Sequence, residues 1–330
     1  MEIQATGANA FDTAAPLLFI INAASGRHDV EATRAAIEAA LGAAGRRAEL
    51  RFTRPEDLAH GARAAAASAR EARGAVVAVG GDGTISAVAQ AAHAAGCAMG
   101  VVPQGTFNYF ARTHGLPTEI GPALQALLQA APVPVQVGLV NERVFLVNAS
   151  LGLYPELLQD REAYKARFGR SRLVAFAAAL VSLLSPHRQL RLRIERGSSV
   201  RDIRTATLFV GNNRLQLEQL GLAEAPALDA GCIAAVMLRP IGAFSMLGLC
   251  LRGAMGSLGE ADTVESFEFQ HMIVRPRIAL GRRKVKVAID GEVGWMPAPL
   301  EFQVSPRPLL LLKPAADAAA AAAATAPESP

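Results

Sequence analysis

The segment Gly80-Gly81-Asp82-Gly83-Thr84 sets one carboxylate among three glycines, where a run of small apolar residues gives way to a helix-like, Ala/Val-rich stretch. A strand that ends in glycines and turns into a helix exposes backbone N–H groups at the helix N-terminus, where phosphate binds. A carboxylate beside phosphate is repelled unless a divalent cation lies between them or the carboxylate handles a proton. The segment therefore predicts a phosphate site with an acid that acts on it, and an ordinary Gly/Asp turn is the alternative.

A second loop of the same kind follows one predicted strand later, with the sequence Pro103-Gln104-Gly105-Thr106-Phe107-Asn108. The first segment matches neither the dinucleotide-binding fingerprint G-x-G-x-x-G nor the Walker loop with its lysine. Two polar, glycine-bearing loops after neighbouring strands nevertheless favour a phosphate-binding site over a plain turn.

The two loops, followed by Phe110-Ala111-Arg112, strongly resemble the diacylglycerol kinase catalytic domain superfamily, which includes bacterial diacylglycerol kinases, related lipid kinases and sphingosine kinases. The resemblance extends over about residues 17–313. Further matching segments are Asn22-x-x-Ser25-Gly26, Phe145–Gly152, Lys165–Gly169, Ala225–Asp229 and Asp290-Gly291-Glu292.

The resemblance implies an ATP-dependent lipid kinase that uses Mg²⁺ and phosphorylates the hydroxyl of diacylglycerol or a similar lipid alcohol. Its fold would join an α/β domain with a parallel sheet, like that of NAD kinases and phosphofructokinases, to a mostly antiparallel β-sandwich. Asp82 and Asp229 would hold the metal, and Asp82 would act at the phosphates through Mg²⁺ and water. The residues expected along the nucleotide are Asn22, Ser25, Gly26, Gly80, Gly81, Gly83, Thr84, Gly105, Thr106 and Asn108.

Asp290 and Glu292 follow an alternating, strand-like stretch, residues 282–289, and would lie on the same side of an extended chain. A hydroxyl that attacks a phosphate needs a carboxylate to accept its proton and hold it in line. By the resemblance, Asp290 is that base and Glu292 supports it. The alternative is that Asp290-Gly291 is an ordinary two-residue hairpin turn.

Four positions depart from the family's pattern. Ser86-Ala87 replaces an Asn-Glu pair, Tyr109 replaces a frequent Asp, and Ala230 removes one carboxylate from an Asp-Asp-Gly motif. A segment that is usually glycine-rich, residues 211–221, has few glycines. These changes leave two alternatives open: a kinase for a sphingoid base or another alcohol, and a degenerate member that binds nucleotide or lipid without catalysis.

The order of predicted elements separates two domains. Strands predicted at 17–22, 48–53, 75–79 and 98–102 alternate with helices at 29–44, 55–73 and 84–95, which indicates a parallel sheet with helices on both faces. Beyond 132–134, short strands are predicted at 135–140, 143–148, 189–195, 206–210, 232–238, 264–274, 284–289 and 300–304, with one long helix at about 162–184. We therefore expect a nucleotide-binding α/β domain at 1–134, a β-sandwich lipid-substrate domain at 135–314 and a disordered tail at 315–330.

Composition narrows the class of protein. A net charge of +4 is too small to favour nucleic-acid binding. Three isolated cysteines indicate a reducing compartment rather than disulfides or a zinc site. Because we find no signal-peptide pattern and no apolar run of the roughly 20 residues that span a bilayer, we expect a cytoplasmic protein.

A basic segment points to a membrane partner. The segment Arg161–Arg204 contains eleven Lys and Arg and three acidic residues, so its net charge is +8. Arg167, Arg170 and Arg172 lie in the first half of the predicted long helix, and apolar residues fill the second half. We expect this segment to dock the protein peripherally and reversibly on anionic membranes, and the alternative is a helix that packs on the sandwich with solvated arginines. A homodimer is a further assembly that we consider.

Overall fold

The computed structural model describes residues 11–23, 30–152, 189–239, 252, 259, 261–277 and 283–314. The chain forms two compact units: the first comprises Met1–Gln136 with Pro306–Pro330, and the second comprises Val137–Ser305. The long helix predicted at 162–184 and the predicted tail at 315–330 lie outside the described residues. No helix in the described part of the chain combines the length and the apolar character needed to cross a membrane.

The helices and strands are named in chain order. The described helices are α1 (Val30–Ala43), α2 (Leu58–Glu71), α3 (Asp82–Ala95), α4 (Tyr109–Thr113), α5 (Ile120–Leu128) and α6 (Arg214–Gln219). The strands are β1 (Leu17–Asn22), β2 (Ala48–Thr53), β3 (Ala75–Gly80), β4 (Ala98–Pro103), β5 (Ala130–Val135), β6 (Gly138–Val140), β7 (Arg143–Phe145), β8 (Asn148–Gly152), β9 (Leu190–Arg196), β10 (Ser199–Thr205), β11 (Thr207–Gly211), β12 (Ile233–Leu238), β13 (Val264–Phe269), β14 (His271–Pro276), β15 (Lys284–Ile289), β16 (Glu292–Pro297), β17 (Leu300–Val304) and β18 (Leu309–Pro314).

The first unit is built on a six-stranded sheet in the order β2-β1-β3-β4-β18-β5. Strands β1 to β4 are parallel, β18 is parallel to β4, and β5 is antiparallel to β18. β1 and β3 are buried along almost their whole length, as continuous apolar strands of a parallel sheet are. The predicted α/β domain with a mostly parallel sheet is confirmed.

The parallel strands also bring the predicted loops together. Because the carboxyl ends of parallel strands lie at the same edge of the sheet, the chain leaves β1, β3 and β4 on one side. Asn22 ends β1, Gly80 ends β3 and Pro103 ends β4. The two glycine-bearing loops are therefore neighbours.

The second unit contains two antiparallel six-stranded sheets, β10-β9-β14-β17-β6-β7 and β13-β12-β11-β8-β15-β16. Their facing side chains form one core, in which Leu208 of one sheet and Phe302 of the other are fully buried. The predicted antiparallel β-sandwich is confirmed. So is the predicted hairpin at residues 141–142, where Val140 of β6 pairs with Arg143 of β7.

One predicted strand, residues 264–274, is in fact two strands in different sheets. β13 pairs with β12, whereas β14 pairs with β9 and β17. The buried apolar positions shift across Gln270, from Phe269 in β13 to Met272 and Val274 in β14. Since side chains of a strand alternate strictly with a period of two, this shift of phase marks the change of sheet.

The end of the chain also differs from the predicted division. We expected residues 135–314 in the second domain, but β18 completes the sheet of the first unit, between β4 and β5. An apolar run such as Leu309–Leu312 indicates a buried strand without indicating the sheet that buries it.

Candidate active site

Asp82 is the first residue of α3, directly after the glycine turn that ends β3. Its Oδ2 accepts a hydrogen bond from the backbone N–H of Asn108 at 3.1 Å. Its Oδ1 is buried and has no hydrogen-bond partner among the described residues. Burial raises the pKa of Asp82 above its usual range, while the N–H groups of Asn108, Tyr109 and Asp82 itself act in the opposite direction.

The loop after β4 is closed by Asn108, which has a left-handed backbone conformation with φ 49°. The Asn108 side chain accepts from the N–H of Gly105 at 2.9 Å and donates to its carbonyl at 3.0 Å. A Cβ added to Gly105 would lie 2.7 Å from Asn108 Oδ1 and 2.9 Å from the Cα of Gly81. The two loops therefore touch through bare backbone, and the glycine at 105 is a steric requirement.

The remaining nucleotide candidates divide into supporting, exposed and undescribed residues. Asn22 donates from Nδ2 to the hydroxyl of Thr84 at 3.2 Å, and Thr84 is buried, so this pair supports the turn from behind. Thr106 is exposed on the second loop. Ser25 and Gly26 lie outside the described residues.

One departure from the family's pattern has a visible structural consequence. Tyr109, at a position where Asp is frequent, contributes its backbone N–H to Asp82. Its ring stacks on Phe107, with centroids 5.8 Å apart and planes 8° from parallel. The substitution therefore leaves the support of Asp82 in place and adds an aromatic surface beside it.

The donor set fits a hard cation held with a phosphate. Asp82 offers a buried carboxylate oxygen without a partner, next to backbone that no side chain blocks. Within the part of the chain that the structure describes, no group of three His, Cys, Asp or Glu side chains could hold a metal by itself. Mg²⁺ usually binds proteins through one or two carboxylates and completes its octahedron with water and substrate phosphate.

The second predicted metal ligand, Asp229, lies in the second unit and already has a cationic partner. Its carboxylate is bound by the guanidinium of Arg214, which also donates to Glu218 at 2.6 Å. The Asp229 side chain is 63% exposed. Its role as a ligand stays a prediction.

Asp290 and Gly291 form the two-residue turn between β15 and β16, in which Ile289 pairs with Glu292. Both turn residues have positive φ, 47° and 88°, as a turn of the mirror-image hairpin type requires. The chain is therefore not extended here, and the expectation that Asp290 and Glu292 lie on one side of an extended strand is wrong. The hairpin alternative is the one the structure adopts.

The Asp290 carboxylate nevertheless does more than close a turn. Its Oδ1 accepts from the N–H groups of Val147 and Asn148 at 2.8 and 3.1 Å, and its Oδ2 from that of Leu146 at 2.9 Å. The N–H of Asp290 in turn donates to the carbonyl of Asn148. Three charge-assisted bonds hold both oxygens in one orientation.

Sequence reasoning missed the polar layer beside Asp290. Asn148 donates from Nδ2 to Gln216 at 3.0 Å, and Gln216 N–H donates to Asn213, the N-cap of α6. Asn148 Oδ1 and Ser150 Oγ are buried and have no hydrogen-bond partner among the described residues. The sequence does indicate this layer, because two polar residues lie inside the otherwise apolar run Phe145–Gly152.

The family model that matches this chain lies almost wholly in the first unit. Residues 16–140 match the family model described as diacylglycerol kinase catalytic domain. A probable lipid kinase YegS-like of Klebsiella pneumoniae is 32% identical over 117 residues, which are 34% of this chain and 39% of that protein. A diacylglycerol kinase of Staphylococcus carnosus is 36% identical over 84 residues, 25% of this chain and 28% of that protein. The chain thus matches less than half the length of these curated relatives.

A solved structure shares the fold. The crystal structure of a putative diacylglycerol kinase from Bacillus anthracis superposes with a TM-score of 0.68 and covers 91% of this chain and 97% of that chain. The sequences are 17% identical, so this likeness concerns the fold alone.

Proposed function

We propose that the protein is an ATP-dependent kinase that phosphorylates the hydroxyl of diacylglycerol or a similar lipid alcohol, because residues 16–140 match the family model described as diacylglycerol kinase catalytic domain. The observation that carries the proposal is the Asp82 carboxylate, whose buried Oδ1 has no partner in the described structure, at a helix N-terminus lined by bare glycine backbone. An uncompensated buried carboxylate oxygen is costly, and a cation with a phosphate compensates it.

The phosphate end of the reaction belongs to the first unit. The N–H groups of Gly83 and Thr84, in the first turn of α3, have no acceptor within the helix and are the donors that phosphate oxygens would use. Side chains are excluded from this surface, because a Cβ at Gly105 would collide with Gly81. A Mg²⁺ ion held here would supply positive charge that neutralises the negative charge developing on the phosphate. Asp82 would hold that ion through Oδ1.

The acceptor end belongs to Asp290. Three backbone N–H groups hold its carboxylate in one orientation, and we assign this carboxylate to the substrate hydroxyl. Phosphoryl transfer passes through a loose transition state, in which the orientation of the hydroxyl matters more than the strength of the base. A carboxylate held rigidly by three donors suits that task. Glu292, exposed across the turn, would support it electrostatically.

A phosphotransfer assay tests the proposal. The purified chain is incubated with radiolabelled ATP and diacylglycerol, sphingosine or a soluble alcohol, with Mg²⁺ or with a chelator. We expect labelled phosphatidate that depends on Mg²⁺, and none from Asp82→Asn. Transfer to sphingosine alone would make a sphingoid base the acceptor in place of diacylglycerol. ATP binding without any labelled product would indicate a binding protein instead of a kinase.

A further inference from the structure

We propose that the outer face of the hairpin β15–β16 docks the protein on an anionic lipid bilayer, with Trp295 as the interfacial anchor. This face, hereafter the Trp295 face, consists of Lys284, Lys286, Val293, Trp295 and Pro297. The proposal extends the proposed function, since a kinase whose acceptor stays in the bilayer must reach the bilayer surface.

The two faces of the hairpin have opposite environments. Val287, Ile289 and Met296 point into the core of the sandwich. On the other face, Lys286 lies directly across from Trp295, and Lys284 across from Pro297. Trp295 is 58% exposed, and β16 is the edge strand of its sheet. The large aromatic side chain of Trp295 thus points outward at the edge of the sheet and does not pack in the core.

The chemistry of the Trp295 face suits a lipid surface. The ammonium of Lys286 lies 5.7 Å from the centroid of the Trp295 ring, with Lys284 two residues away on the same face. Tryptophan prefers the boundary between water and hydrocarbon, because its ring is apolar and its N–H needs a polar partner. Lysine stems lie along apolar surface while their ammonium groups reach anionic head groups. The Trp295 face carries no carboxylate.

The position of the face relates it to the proposed chemistry. The same hairpin carries Asp290 in its turn, and Trp295 lies three residues along β16 from the residue that follows the turn. At about 3.3 Å per residue this is roughly 10 Å. A bilayer in contact with Trp295 would therefore present the hydroxyl of a glycerolipid, which lies at the same interface, within reach of the segment that we assign to the acceptor.

Tryptophan fluorescence tests the proposal directly, because Trp295 is the single tryptophan of the chain. The protein is titrated with phosphatidylcholine vesicles, with and without phosphatidylglycerol at about three in ten lipids. We expect a blue shift of the emission and quenching by lipids brominated on their acyl chains, with the anionic vesicles only. Raising the salt to about 0.5 M should reverse both changes.

A charge-matched pair of variants separates this surface from general electrostatics. Lys284→Gln with Lys286→Gln should weaken vesicle binding at least about tenfold, because each basic residue at an anionic surface contributes about fivefold. Arg54→Gln with Arg63→Gln removes the same charge from two exposed positions of the first unit and should change binding less than about twofold. Unchanged thermal midpoints confirm folding. Trp295→Ala, followed by sedimentation with the vesicles, gives a second measurement.

Three results would overturn the proposal: no vesicle binding, binding without any change in the Trp295 emission, or equal losses in both double variants. The second result would assign docking to another segment, such as the basic residues 161–184 outside the described structure. The readout does not depend on turnover. A protein that phosphorylates no lipid but shows the expected spectral changes would keep the docking surface and lose the proposed function.

Discussion

At the scale of single residues, we assign Asp290 two separable tasks: it anchors a loop and, in the proposed function, it orients the substrate hydroxyl. An asparagine at 290 has one acceptor oxygen, so its NH₂ group must face at least one of the N–H groups that now donate to the carboxylate. We expect Asp290→Asn to cost about 1–3 kcal/mol of folding free energy and to lower turnover at least about 100-fold. The affinity for ATP should change little, since the nucleotide candidates lie in the other unit. Thermal denaturation, ATP titration and turnover measure the three effects.

Gly291→Ala is the matched control for that substitution. Gly291 has φ 88° and nothing within 4 Å of an added Cβ, so alanine strains the same turn without touching the carboxylate. We expect about 1–2 kcal/mol of destabilisation and most of the turnover retained. Equal turnover losses in the two variants would make Asp290 a purely structural residue.

Asp82 should respond to Mg²⁺ in a way that needs no turnover. Its buried Oδ1 lacks a partner in the described structure, so the ionised carboxylate costs stability until a cation binds. With a nucleotide present, Mg²⁺ should raise the thermal midpoint of the natural protein and leave that of Asp82→Asn unchanged. A midpoint that rises equally in both would place the ion elsewhere.

At the scale of elements, the contact between the two glycine-bearing loops depends on Gly105. An alanine there would place its Cβ 2.9 Å from the Cα of Gly81, a backbone atom that cannot move aside cheaply. We expect Gly105→Ala to weaken ATP binding at least about tenfold, which corresponds to about 1.4 kcal/mol. Gly42→Ala, in α1 with nothing within 4 Å, should leave ATP binding unchanged. Isothermal titration calorimetry compares the ATP affinities of the two variants. Equal affinities would show that the two loops move apart to accommodate the alanine.

His114 makes the end of α4 sensitive to pH. Burial in the first place, and the Lys313 ammonium in the second, lower the pKa of His114 to about 4 from 6.5. In the unfolded chain His114 is therefore protonated below about pH 6.5, whereas in the folded protein it stays neutral until about pH 4. The folded protein loses stability as the pH falls from 6.5 towards 4. The slope approaches about 1.4 kcal/mol per pH unit. Urea denaturation should show that His114→Gln removes this dependence, and an unchanged slope in the variant would assign it to other groups.

At the scale of the whole molecule, the chain leaves the first unit at Gln136 and returns at Pro306 to supply β18. Among the described strands, β18 alone pairs with β5, and it carries three leucines that are at most 2% exposed, Leu309, Leu311 and Leu312. Each fully buried leucine contributes about 1.5–3 kcal/mol. A chain that stops after Ser305 should therefore lose the cooperative unfolding of its first unit, whereas one that stops after Pro314 should unfold like the full chain. Equal urea midpoints would mean that the sheet is stable without β18.

The sequence by itself determined the local elements and the position of the two glycine-bearing loops. Apolar runs such as Leu17–Asn22 and Ala75–Gly80, separated by helical patterns, indicate buried parallel strands wherever they pack. The parallel arrangement then requires the loops after β3 and β4 to meet at one edge. Asp82, Gly105 and Asn108 were accordingly predicted together, because their association follows from neighbouring strands and needs no distant partner.

Only the tertiary structure decided which distant segments pair. Asp290 receives its three donors from residues more than 140 positions earlier, and no local pattern at 290 records them. β18 joins β4 rather than the sandwich, and β14 leaves the sheet of β13. The physical reason is the same in each case: hydrophobic periodicity specifies that a face is buried, while the partner that buries it is selected by packing and register across the whole chain.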